Sequence, residues 1–311
     1  MASYTARRLL SAVLVIFGVT LATFLLMHVE PGDPARSVLG IRASPSAVAS
    51  LRRQWGLDSS LPVQLGRFLS QLFQGNLGQS YIYHVSTTSL IASRVGETAA
   101  LVAVAAVFAV AMSVPMATLA AAHRDGAADH LVRGLSVVGL ALPAFWFGIL
   151  LIEIFAVHLH LLPVGGAGSG FGGHLKSLVL PAFTAALAIA PILVRSLRVG
   201  MIEVLDSEFV AVARAKGLGE GRVLFGHVAR NALLPTVTLL GLNIAFLIGS
   251  TVVVEQVFNL NGLGSLLLSS ILNRDFPVVQ ATTLVLGAGV VIVNLGTDLL
   301  AARLDPRIRL R

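Results

Sequence analysis

Six stretches of the chain are continuously apolar over most of their length: residues 9–28, 97–121, 132–157, 177–198, 234–254 and 279–302. Each runs for about 20 residues or more, which is what a helix rising 1.5 Å per residue needs to cross ~30 Å of hydrocarbon. The pattern therefore predicts an all-α polytopic membrane protein with six transmembrane helices. Pro115, Pro143, Pro181 and Pro191 fall inside these stretches. Neighbouring helices can satisfy the carbonyls that a proline frees, so each stretch is expected to continue through its proline. The first run follows Arg7 and Arg8 and leads into Glu30-Pro31-Gly32-Asp33-Pro34 without a small-residue cleavage site. It is expected to stay as a transmembrane helix and not to be removed as a signal peptide.

The polar positions fall into a few connections, which divide the chain into residues 1–30 with the first helix, a polar subdomain at 31–95, and a five-helix core at 96–311. Within 31–95, Pro45–Trp55 and Pro62–Phe73 read as short helices joined by turns. Gly165–Gly173 reads as a flexible loop, and Glu255–Leu272 as a turn followed by an amphipathic helix. The stretch Ser207–Pro235, inside a connection spanning 203–234, carries too many charges for hydrocarbon and is placed at a membrane surface. Asp206 or Ser207 can cap a first helix there, with Glu208 in its first turn where a negative charge suits the dipole. Gly217-Leu218-Gly219 can end that helix in a sharp turn. Glu220 opens a second helix running towards Asn231, before Pro235 leads into the next apolar run.

Composition agrees with the membrane reading. Of 311 residues 56% are hydrophobic and 12% charged, about half the charged share of a soluble domain, and the mean hydropathy is +0.86. A net charge of +7 would suggest a nucleic-acid partner in a soluble protein; here its positions identify it as the positive-inside signal, and no nucleic acid is expected. With the N-terminus inside, the inner segments hold 14 of the 22 Lys and Arg residues, Arg7, Arg8, Arg124, Arg133, Arg195, Arg198, Arg214, Lys216, Arg222, Arg230, Arg303, Arg307, Arg309 and Arg311. Most of the others lie in the long 31–95 segment, where the rule loses force. Both termini and the 203–234 connection are thus expected in the cytoplasm.

The chain offers little chemistry of its own. It has no cysteine, which excludes thiolate metal sites and cysteine nucleophiles. The nearest approach to a phosphate-binding loop is Gly170–Ser177, where Leu175 stands in place of the glycine needed before Lys176; no ATP site is expected, and the chain is not read as an enzyme. His158 and His160 lie two apart and do not share a helix face, so no metal site is assigned. Glu153, within the third apolar run, and Asn243 and Asn294, in the fifth and sixth, are the candidates for a substrate pathway, because polar groups in spans are costly. The competing reading is simple helix–helix hydrogen bonding.

Ser207–Pro235 resembles the cytoplasmic EAA loop of ABC importer permeases, in the version found in the dipeptide, oligopeptide and nickel family. The family pattern A-R-A-K-G-L, then H-x-x-R-N-A-L-x-P, is matched by Ala213–Leu218, His227, Arg230–Leu233 and Pro235. The general loop's Glu and closing Pro fall on Ala211 and Arg230, which is a departure. Trp55-Gly56-Leu57-Asp58, Gly75–Ser80, Pro143–Gly148, Glu255–Gly264 and Asn273–Pro277 also resemble that family. The resemblance implies the type I ABC importer fold and a permease subunit for peptides in a prokaryotic cell membrane. It implies an ATPase-coupling loop comprising Glu208, Ala211, Ala213, Arg214, Ala215, Lys216, Gly217, Leu218, His227, Arg230 and Asn231, with Ala213 and Ala215 small enough to approach a partner groove. The implied partners are a second permease subunit in a heterodimer, two ATP-binding subunits that hold ATP and Mg, an external substrate-binding protein, and lipid. This chain would hold no cofactor. The alternative is a secondary transporter or channel driven by an ion gradient.

Overall fold

A computed structural model describes residues 2–29, 32–40, 42–166, 168 and 170–304, apart from the side chains of residues 2–9, 27, 230, 233–235, 302 and 304. Glu30, Pro31, Ala167, Ser169, Arg307, Arg309 and Arg311 lie outside the described residues, as do the side chains of Arg7, Arg8, Arg230, Leu233 and Pro235.

The described residues are nearly all helical, and their only β pairing is an isolated bridge between Gln79 and Ser86. In chain order the helices are α1 Ala2–Val29, α2 Pro34–Leu39, α3 Pro45–Trp55, α4 Leu61–Phe73, α5 Thr87–Ala92, α6 Val95–Ala122, α7 Ala127–Ala141, α8 Ala144–Leu151, α9 Gly170–Leu205, α10 Glu208–Ala215, α11 Arg230–Val257, α12 Leu263–Leu272 and α13 Phe276–Leu304. Two π-helical stretches, Ile152–His158 after α8 and Arg222–Ala229 before α11, complete the set. Thr87–Ala122, Gly170–Leu205, Thr236–Val257 and Phe276–Ala301 are each long and apolar enough to cross a membrane alone. Leu10–Leu26 is a shorter apolar helix.

The third apolar run departs from expectation. It is not one straight helix: α7 and the helix after it pass the same length and composition test only together, and they are bent by 101°. Leu142, immediately before Pro143, is extended (φ −92°, ψ 136°), because a proline ring disfavours the helical conformation in the residue before it. Pro115, Pro181 and Pro191 stay inside continuous helices, as the sequence predicts. Beside Pro191 the hydroxyl of Ser113 donates to the Ala190 carbonyl at 3.2 Å, a buried side-chain bond that ties α6 to α9.

The chain forms two compact units. The first comprises Met1–Tyr4, Ala99–Leu260 and Gly289–Arg311. Its centre is α9, where 72% of the most apolar stretch is buried, against 22% for Thr87–Ala122. Small residues make this burial possible: Ala182, Ala185, Ala186 and Ala190, all buried, let neighbouring backbones approach, and in lipid such packing supplies much of the association energy. Leu101, Leu178, Ile189, Leu193, Leu247 and Phe258 fill the rest. Asp129 in α7 is fully buried, and Arg198 of α9 holds it through two parallel bonds, Nε–Oδ1 and Nη2–Oδ2, both 2.5 Å. The loop expected at Gly165–Gly173 is shorter than that, because α9 begins at Gly170. Glu255, expected in a turn, lies in the last turns of α11 and is fully buried.

The second unit comprises Thr5–Thr98 and Asn261–Ala288. Both short helices expected there are present. Ser44 caps α3 through Ala47 N–H at 3.3 Å, with Pro45 in the first turn where a missing N–H costs nothing. Arg52 clamps two loops by reaching Asp33 at 3.0 Å and Asp58 at 2.9 Å. Asp275, fully buried, accepts from the Ser80 hydroxyl and from the N–H groups of Tyr81 (3.0 Å) and Ile82 (3.4 Å). The packed core here joins Ile91 to Leu263, Leu266, Val278 and Ala281.

Candidate functional site

The stretch 206–231 forms the expected helix–turn–helix. Ser207 occupies the N-cap position of α10, but its hydroxyl donates back to the Val204 carbonyl, leaving no side-chain cap. Helix α10 ends at Ala215. Leu218 N–H returns to Ala213 O (3.3 Å) and Gly217 N–H to Arg214 O (2.9 Å), an end that needs a left-handed residue. Gly217 supplies it with φ +80°. A Cβ at Gly217 would meet nothing within 4 Å, so glycine is required there by backbone conformation and not by crowding. Arg214 closes the turn on Glu220 with a fork, 2.8 and 3.1 Å, and the carboxylate raises the guanidinium above its ordinary pKa. The second arm starts at Glu220 and runs without a break through the π-helical stretch into α11. The sequence predicts a separate helix ending before Pro235; the structure has one continuous helix.

The two faces of the tip differ. Val210, Ala213, Val223, Val228, Ala229 and Ala232 are buried against Ala117, Ala121, Leu197 and Met201. The small side chain of Ala213, expected to approach a partner groove, packs within the chain. Ala215 is exposed, as are Glu208, Ala211, Arg214, Lys216, Gly217 and Asn231, while Leu218 and His227 are half-buried. The side chain of Arg230 is outside the described residues. On the outer face Phe209 (47% exposed), Val212 (52%) and Phe225 (60%) stand in the open beside these polar groups. They are absent from the sequence-predicted set. The available signal was that α10 is apolar on more than one face, more than a helix packed on one side requires.

The three pathway candidates are not drawn together by any hydrogen bond among the described residues. Glu153 is exposed and lies 3.4 Å from His158 Nδ1. Asn243 is buried and donates to the Leu239 carbonyl of its own helix at 2.7 Å, and Asn294 is half-buried. None of them lines the cavity at the Pro143 break in the first unit. That cavity, about 310 Å³, sits among Leu142, Phe145, Phe147, Phe246 and Val254, with Ser250 as its hydroxyl.

The class the fold and site define is a polytopic helical membrane protein with an exposed, partly apolar tip on a packed base. The chain belongs to the family of binding-protein-dependent transport system inner membrane components, whose model matches residues 113–310, with the family's N-terminal region matching 1–115. It is 38% identical to the glutathione transport system permease protein GsiC of Salmonella paratyphi A over 309 residues, 99% of each chain. It is equally similar, over the same share, to the protein of that name from Escherichia coli strain K12. Among solved structures, an inward-facing form of the MetNI methionine ABC transporter superposes with a TM-score of 0.60 at 16% identity, covering 70% of this chain and 97% of the other; this likeness concerns the fold. The chain is thus a permease subunit of an ABC importer, a multi-pass protein of the bacterial cell membrane.

Proposed function

We propose that this permease imports short peptides in an ATP-driven complex, crossing the membrane six times with both termini in the cytoplasm. The observation that carries the coupling is the tip around Gly217: one face is packed into the chain's own core, and the other presents Phe209, Val212 and Phe225 to a partner. That partner is an ATP-binding subunit. A rigid hairpin continuous with α11 transmits closure of the ATPases to the spans, which is how an interface movement becomes a change of access. ATP and Mg belong to the two ATPase subunits, and a second permease and an external binding protein complete the assembly. The 31–95 subdomain lies outside on this reading. The peptide class is supported by the full-length likeness to permeases of a glutathione system, glutathione being a tripeptide.

The test is reconstitution of the chain with its second permease, ATPases and binding protein in proteoliposomes. Radiolabelled dipeptide and glutathione uptake should require ATP, survive a protonophore, and stop when the ATPases are omitted. The purified chain alone should hydrolyse no ATP. Uptake driven by an ion gradient without ATPases would overturn the reading in favour of a secondary transporter.

A further inference from the structure

The second unit holds a pocket of about 150 Å³ that import as described so far does not use. Its walls are aromatic: Trp55 lies flat on Tyr81, ring centroids 3.7 Å apart and planes 6° from parallel, and Phe68 and Phe276 also line the space. Pockets for drug-sized ligands run to roughly 300–1,000 Å³, so this one suits a single amino-acid residue.

Arg67 at its edge is the side chain that gives the pocket a chemistry. Gly56, the left-handed cap of α3 (φ +71°), leaves room for the guanidinium; a Cβ there would come within 2.7 Å of Arg67 Nη1. Among the described residues no carboxylate pairs with Arg67. Asp33 and Asp58 are taken by Arg52, and Asp275 by Ser80, Tyr81 and Ile82. Gln64 is also occupied, its amide nitrogen donating to Leu57 O (3.1 Å) and Ser59 O (2.8 Å) while its oxygen faces His28 Nε2 at 3.0 Å. What the pocket still offers is one guanidinium and the side-chain amides of Gln71 and Gln280, beside the aromatic wall.

Each remaining group matches part of one ligand. A guanidinium fork fits a carboxylate in two parallel bonds. A side-chain amide donates and accepts as a peptide group requires, and aromatic rings take up an apolar side chain. We propose that this pocket binds the C-terminal residue of a short peptide, its α-carboxylate on Arg67 and its side chain against the aromatic wall. The proposal rests on the peptide-import reading and assigns the second unit a share in receiving the cargo.

Tryptophan emission tests it directly, because the chain has only two tryptophans. With Trp146→Phe in this chain and any tryptophan of the second permease replaced by phenylalanine, Trp55 alone reports from the pocket wall. The permease pair in lipid nanodiscs is titrated with Ala-Phe and with Ala-Phe amide, which lacks the carboxylate. Saturable change with Ala-Phe and little with the amide is expected. Arg67→Gln should weaken binding by about tenfold or more, the worth of a charged hydrogen bond, and Arg67→Lys should fall between. Equal responses to the two peptides, or an unchanged Arg67→Gln, would overturn the carboxylate assignment. No Trp55 response from a preparation that imports Ala-Phe with its ATPases and binding protein would remove the pocket and leave peptide import standing. Import of a non-peptide cargo alone would remove both. A response to the binding protein without peptide would show that a protein side chain fills the space, against the proposal.

Discussion

Asp129 and Asp275 are both fully buried carboxylates, and the two units satisfy them by different means. In the first unit Asp129 meets a full opposite charge: Arg198 in a fork at 2.5 Å, with Arg133 at 4.0 Å and the Asp125 N–H at 3.0 Å. In the second, Asp275 meets neutral donors, one hydroxyl and two backbone N–H groups. The charge pair fixes the orientation of two helices, α7 and α9, and α9 leads directly to the tip. The neutral donors fix the path of a loop. A charged pair resists rotation of two rigid bodies but is costly if half of it is lost. Main-chain donors pin a loop that has no helix to orient. The region expected to transmit motion has the stiff connection and the unfinished apolar surface, and the other satisfies its carboxylates within itself.

The largest effect should come from Asp129→Asn. It leaves the Arg198 guanidinium, only 15% exposed, without its charge partner, and breaking a buried pair costs about 3–5 kcal/mol. Thermal unfolding in detergent measures this; a loss no larger than that of a surface pair, under ~1 kcal/mol, would erase the contrast between the two units. Phe225→Glu should come next, in function and not in stability. An interface anchor is worth ~2–4 kcal/mol, so uptake with the ATPases should fall about tenfold or more, while a residue 60% exposed should shift unfolding by no more than ~0.5 kcal/mol. Gly217→Glu should act in the same direction with an added backbone cost of about 1–2 kcal/mol at its positive φ. Normal uptake by both variants would mean that the tip docks nothing. Asp275→Asn should cost less than Asp129→Asn, about 1–3 kcal/mol, because an amide keeps one acceptor for the loop. Protease cleavage near residues 80–86 should accelerate in that variant.

What the sequence made legible follows from local physics. Apart from the break at Leu142-Pro143, each of the six apolar runs lies in helix, and Pro45–Trp55 was readable to the residue because Ser44, Pro45 and Gly56 are local start and stop signals. Gly217 was readable as a turn for the same reason. The bend at Pro143 was not, because Pro143 looks like Pro115, Pro181 and Pro191 in sequence, and whether the helix continues depends on neighbours that only the fold supplies. Arg198 entered the orientation count as one more positive charge, and its partner lies 69 positions away. Asp275 and Ser80 are separated by 195 positions, so no spacing rule could join them. The smallness of Ala213 is compatible with a partner groove or with the inner core, and sequence alone does not separate the two. Phe209, Val212 and Phe225 are not legible as a surface from sequence, because apolar residues between charges are as consistent with packing as with exposure.

The smallest effect is the most discriminating for the second unit. Burial of Tyr81, and secondarily the charge of Asp275, pushes its phenol up to about 12 from an ordinary 10. The neutral phenol is therefore the form that the folded protein favours. Its contribution to stability is complete below pH 10, the unfolded value, and is lost as pH rises through 12. Difference absorbance at 295 nm against Tyr81→Phe isolates this residue from Tyr4 and Tyr83. It should show ionisation about two pH units late. Asp275→Asn removes the smaller cause and leaves the larger, so Tyr81 should titrate earlier than in the parent and still above 10. A return to 10 in Asp275→Asn would show that the carboxylate, not burial, governs the site. Asp275 would then act on its surroundings chiefly through its charge, as Asp129 does on Arg198, and the distinction between the two units would narrow.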